Sequence, residues 1–164
     1  MTKQEVLHVI SPPCDTGAPT RFQPSMITDN SATFERNVFY PYHRFLADCT
    51  VATILGKKSL SVSCLVDGVN ALGATTDPFD VKQTKVVTAE IMATKITKDE
   101  AHRAAFGILR HQISRHLKMM AAFDIRLTKQ EVVYKEFWIL RSRNALIMVD
   151  SVTGGIHPLR TLAA

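Results

Sequence analysis

Three cysteines, six histidines and two Val-Asp pairs are the side chains of this chain from which chemistry could be built. Cys14 lies in a proline-rich stretch six residues after His8. A thiolate nucleophile needs a base held beside it, and nothing in that stretch would hold one, so Cys14 reads as a free thiol. Cys49 and Cys64 fall on apolar strand faces and read as small core hydrophobes rather than a disulfide. The three cysteines form no C-x-x-C pair and no Cys/His cluster at zinc spacing, so no metal is expected. His102 and His116 are fourteen residues apart on one expected helix, four turns, too far to share an ion. The sequence contains no G-x-S-x-G, P-loop, G-x-G-x-x-G or H-E-x-x-H motif. No catalytic residue is assigned, no cofactor is expected, and an enzyme of unknown reaction ranks last among the functions considered.

The Val-Asp pairs, Val66-Asp67 and Val149-Asp150, close two runs of alternating apolar residues. An aspartate followed by small and polar residues bonds the amides of its own turn, and Gly154-Gly155 supplies positive φ. That structural role accounts for both aspartates, because nothing in the sequence brings them to the distance a carboxylate pair needs.

The elements that must position these residues are legible to different degrees. Residues 1–33 are broken by Ser11-Pro12-Pro13, Gly17-Ala18-Pro19 and Gln23-Pro24-Ser25 and read as an irregular N-terminal arm, with a short strand at Glu5–Ile10. Residues 34–164 read as a single α+β domain. In its first hairpin, 38–67, Phe45, Ala47, Cys49 and Val51 share a face with Leu60, Val62, Cys64 and Val66. A two-residue turn at Gly56-Lys57 would pair Val51 with Val62 and Cys49 with Cys64. Val86–Ile96 reads as a strand. Thr97-Lys98-Asp99-Glu100 is a capping box that opens a helix over 98–120, and 132–150 form a second hairpin around Arg141–Asn144. The expected architecture is α+β: an antiparallel β-sheet of about five or six strands with one long helix packed on one face.

The hairpins echo each other. Phe39-Tyr40-Pro41-Tyr42-His43 and Tyr134-Lys135-Glu136-Phe137-Trp138 open them, and the two Val-Asp corners close them, which suggests two similar half-repeats. In the C-terminal half, the helix followed by strands and the Asp150-Ser151-Val152-Thr153-Gly154 corner resemble PepSY-like, cystatin-like α+β modules. The first half departs from that pattern, with Asn70-Ala71 where Thr-Gly would stand. The resemblance implies a non-catalytic binding, inhibitory or regulatory module with a helix on a curved antiparallel sheet.

Residues 1–97 carry nine Lys/Arg and nine Asp/Glu, so the net charge of +5 arises wholly in residues 98–164. Two binding surfaces follow. The aromatics Tyr40, Tyr42, His43, Phe137 and Trp138 form a candidate patch for a protein partner or a second copy. Arg103, Arg110, Arg115 and Lys118 on the helix form a candidate anion-binding face, which would make the chain a nucleic-acid-binding protein. With no apolar run of spanning length and no leader pattern, a cytoplasmic binding or accessory domain without a membrane span is the expectation.

Overall fold

The computed structural model describes residues 3–11, 32–117, 122–142 and 145–161. Among them are eight strands: β1 (Gln4–Ser11), β2 (Thr33–Thr53), β3 (Gly56–Asp67), β4 (Gly73–Thr76), β5 (Asp80–Val87), β6 (Phe123–Ser142), β7 (Ala145–Asp150) and β8 (Ile156–Thr161). One helix, α1 (Lys98–Leu117), lies between β5 and β6. The α+β class is as expected, with more strands than the five or six read from periodicity. The residues fall into two compact units. A helical unit takes Pro41–Pro78 and Ala93–Val132, and a strand unit takes Met1–Tyr40, Phe79–Met92 and Val133–Ala164. The long strands β2 and β6 contribute residues to both.

In the helical unit, β2 and β3 form an antiparallel hairpin and β4 adds antiparallel to β3. Every second residue of the β2 segment Pro41–Val51 is buried, the alternation of a strand with one face in a core. Phe45, Ala47, Cys49 and Val51 with Cys64 and Val66 receive Ala101, Ala105, Leu109 and Ile113 of α1. Those helix residues recur every fourth position and make one narrow stripe. Two of them are alanines, which lets the helix backbone approach the sheet closely. The capping box forms as read: the Glu100 amide donates to Thr97 Oγ1 at 3.2 Å and the Thr97 amide donates to Glu100 Oε2 at 2.7 Å. The helix is described to Leu117, and its expected last residues, 118–120, lie outside the described residues.

The hairpin register differs from the expected one. Cys49 pairs with Leu60, Phe45 with Cys64, and Thr53 with Gly56, so the turn residues are Ile54-Leu55 and not Gly56-Lys57. Neither turn residue has positive φ; Gly56 supplies it just after them, at +117°. The slip moves each partner by four residues, an even number, so every side chain keeps its face. Cys64 and Val66 are buried, while Val62 is half-buried and Leu60 exposed. Cys49 and Cys64 are both buried free thiols, as expected, but are not cross-strand partners.

In the strand unit, β1 pairs antiparallel with β5 along its whole length, Gln4 to Val87 through Ser11 to Asp80. It meets β6 in parallel at Val9 and Tyr134. Leu7, Val9, Phe39 and Val86 pack together, so the first residues of the expected arm are part of a core. The rest of that arm, 12–31, lies outside the described residues. The strand expected over Val86–Ile96 is a correction: it runs over Asp80–Val87 and gives way to a 3-10 turn at Thr88–Glu90. The Thr88 amide and hydroxyl both donate to the Lys3 carbonyl at 3.0 Å, which ends the ladder where β1 begins. The second hairpin pairs β6 with β7 from Phe137–Asp150 to Ser142–Ala145, and β8 adds to β7.

Candidate functional site

The two Val-Asp corners are built by the same bonds. In the helical unit, Asp67 Oδ1 accepts from the Val69 amide at 2.7 Å and the Asn70 amide at 3.2 Å. In the strand unit, Asp150 Oδ1 accepts from the Val152 amide at 2.9 Å and the Thr153 amide at 3.2 Å. The Asp67 amide donates to the Leu72 carbonyl, and the Asp150 amide to the Gly155 carbonyl. Ala71 and Gly154 take the left-handed position, at φ 61° and 72°. Asn70, which breaks the Thr-Gly pattern in sequence, does the work of Thr153: its Oδ1 accepts from the Leu72 amide as Thr153 Oγ1 accepts from the Gly155 amide. The Gly68 amide donates to the Pro41 carbonyl, and the Ser151 amide to the Glu136 carbonyl. A Cβ on Gly68 would stand 2.8 Å from that Pro41 oxygen, so the first corner requires glycine where the second holds serine.

The second corner carries an ion pair. Lys135 Nζ lies 2.5 Å from Asp150 Oδ2, with both side chains largely buried. Burial pushes the Asp150 carboxyl up, but Lys135, the Thr153 hydroxyl and the Val152 amide outweigh it and hold its pKa below the usual carboxylate value. These bonds fully account for Asp150 as a turn and ion-pair residue.

The aromatics that open the hairpins are largely covered. His43, Phe137 and Trp138 are buried, and Tyr40 and Tyr42 are half-buried. Trp138 packs with Leu140, Val149 and Ile147. Tyr40 meets Phe137 edge-to-face with ring centroids 6.2 Å apart. Aromatics that open a buried strand fill its core. His43 occupies in the first hairpin the place of Trp138 in the second, since His43 pairs with Val66 and Trp138 with Val149. It is 3% exposed, and neither ring nitrogen has a hydrogen-bond partner among the described residues. Burial, then the Lys98 ammonium, lowers its pKa, which keeps the ring neutral. It borders a cavity of about 170 Å³ with Lys98, Gln130, Glu131 and Val132.

On α1, Arg103, Arg110 and Arg115 are all exposed, and Lys118 lies outside the described residues. Arg103 and Arg110 are two turns apart on one line with exposed Phe106 and Gly107 between them. Arg115 is turned about 140° from Arg110 around the axis, so the three do not form a single stripe.

The helical unit also holds an apolar cavity of about 250 Å³, lined by Val51, Leu60, Val62, Thr75, Leu109, Gln112 and Ile113. Its walls come from the hairpin, β4 and the second half of α1. The sequence reading missed it, because Leu60 and Val62 look like ordinary inward strand residues. Leu60 is 36% exposed and Val62 only partly covered, the sign that the helix does not close over this end. Among the described residues no group of three or more His, Cys, Asp or Glu is placed to hold a metal, and no helix is long and apolar enough to cross a membrane. No family model, curated protein or solved structure matches the chain.

Proposed function

We propose that this chain is a non-catalytic binding module of the accessory or regulatory kind, which seats an apolar side chain of a protein partner in the cavity of its helical unit. The observation that carries this reading is the cavity itself: carbon-lined, open to solvent, and walled by a hairpin, a third strand and a helix held in one core. At about 250 Å³ it falls below the roughly 300–1,000 Å³ of small-molecule pockets and suits a single inserted side chain. The matched corners support reading hairpin, corner and third strand as a half-repeat used twice. The PepSY-like resemblance rests on the sequence order of helix, strands and Asp150 corner, and that corner belongs to the strand unit, not to the unit of the helix.

The test uses N-acetyl-leucinamide as a free apolar side chain. Titrated into the labelled protein, it should perturb the amide resonances of Val51, Val62, Leu109 and Ile113 and leave the strand unit unmoved. Val62→Trp fills the cavity and should abolish the perturbation while the fold is retained. No perturbation, or one that survives the substitution, would discard the reading.

A second reading, nucleic-acid binding, is favoured by the exposed Arg103–Arg110 line. It predicts a gel shift with generic DNA or RNA at low salt that Arg103→Glu/Arg110→Glu removes. The absence of any shift at low salt would dismiss it.

A further inference from the structure

The hairpin of the helical unit ends in two aliphatic residues that the fold does not use. Ile54 is 97% exposed and Leu55 100% exposed, and every residue from Thr53 to Ser59 is exposed, so the tip of the hairpin contributes no side chain to its unit's core. Two-residue hairpin turns are ordinarily made from Asn, Asp and Gly, which supply positive φ or bond the backbone. Here Gly56 supplies the positive φ, and the Thr53 hydroxyl latches the turn by donating to the Gly56 carbonyl at 2.8 Å. Ile54 and Leu55 contribute nothing to either device, and polar residues in their place would satisfy the turn better.

Lys57 and Lys58 follow at once, both exposed, and neither has an ion-pair partner among the described residues. The segment from Ala52 to Ser61 contains no acid. This conjunction selects the occupant. A hydrophobic pocket on a protein would match the aliphatic pair and leave the ammonium groups without a purpose. A nucleic acid would match the lysines and leave two large aliphatic side chains in water. A second copy of this chain brings a net charge of the same sign, +5. The surface of an anionic bilayer offers both parts within one side chain's length: an acyl boundary for the apolar tip and phosphate or carboxylate headgroups for the lysines behind it.

We infer that the Ile54–Leu55 tip, with Lys57 and Lys58, is a peripheral contact for an anionic lipid surface. It holds the protein at a membrane without spanning it, and it is independent of the cavity reading, since cavity and tip use different residues apart from their shared hairpin.

The experiment is co-sedimentation of the full chain with vesicles of equimolar phosphatidylcholine and phosphatidylserine, and with vesicles of phosphatidylcholine alone. The protein should sediment with the first and much less with the second. Leu55→Asp should weaken partitioning by about tenfold or more, and Lys57→Glu/Lys58→Glu should remove the preference for anionic vesicles. Leu72→Asp, at an exposed leucine elsewhere in the same unit, should change nothing. In a Leu55→Trp variant the tip emission should shift to the blue on anionic vesicles, against a constant signal from the buried Trp138. No sedimentation with anionic vesicles overturns the inference, as does sedimentation that Leu55→Asp leaves intact. A wild-type dimer that Leu55→Asp dissociates, with no vesicle binding by either, also overturns it and assigns the tip to a second copy.

Discussion

Asp67 and Asp150 bond the same amides of the same kind of turn, yet their loss should cost different amounts. Asp67 is half-buried and its corner can be rehydrated, so Asp67→Ala should cost about 1–2 kcal/mol, the scale of a lost turn or cap bond. Asp150 is the buried partner of Lys135, and Asp150→Ala leaves that ammonium without its countercharge. Urea denaturation should show a loss of about 3 kcal/mol, and the loss should shrink in a Lys135→Met background. His43 runs the other way. An imidazole buried with no hydrogen-bond partner among the described residues stands where the second hairpin has an indole, so His43→Phe should raise stability by about 1 kcal/mol in the same measurement. At this scale the sequence was informative about the aspartates, because turn chemistry is local. It left undecided whether the aromatics are core or surface, because a strand's alternation does not say whether the face bearing Trp138 is covered. It also treated Asn70-Ala71 as a departure, although an asparagine oxygen can accept the bond that Thr153 accepts and an alanine can hold positive φ at a cost.

The helix was the most legible element and the hairpin the least certain. A capping box names its own first residue, and the apolar residues at helical spacing include three of the four that the core buries, Ala101, Ala105 and Leu109 but not Ile113. Thr97→Ala should therefore lower stability by about 1 kcal/mol, and Thr97→Ser should recover most of it, as measured by chemical denaturation. The hairpin register could not be settled from alternation, since two registers differing by an even shift bury the same side chains. The glycine drew the expected turn onto itself, whereas the chain uses it one step later to absorb the twist. Strand β5 was misplaced for a related reason. Its bounds follow from β1, some eighty residues earlier by the Gln4–Val87 pairing, and no local periodicity records a partner that distant.

For the molecule as a whole, the charge surplus and the α+β class could be read from composition and pattern, while the division into two units could not, because it depends on which segments of β2 and β6 each core claims. The whole-molecule property that can be argued from named groups is the dependence of stability on pH. His43 has a folded pKa below its ordinary 6.5, so the unfolded chain binds the extra proton, and stability falls as pH drops below about 6.5. Asp150 has a folded pKa below its ordinary 3.8, so its stabilisation is present above about 4 and is lost as pH falls through the folded value. The thiols act at the other end. Burial pushes Cys64 from 9.0 up to about 11 and also raises Cys49, so the unfolded chain releases protons first and stability declines as pH rises above about 9. Urea midpoints measured across pH should thus form a plateau between about 6.5 and 9 with a two-step acid limb. His43→Phe should remove the upper acid step and Asp150→Asn should shrink the lower one, to which Glu100, held low by its bonds from Thr97, also contributes. Cys64→Ala should lower the plateau through the small cavity it leaves, and flatten the alkaline limb. An acid limb that keeps both steps in His43→Phe would show that the buried imidazole is not the group that titrates there.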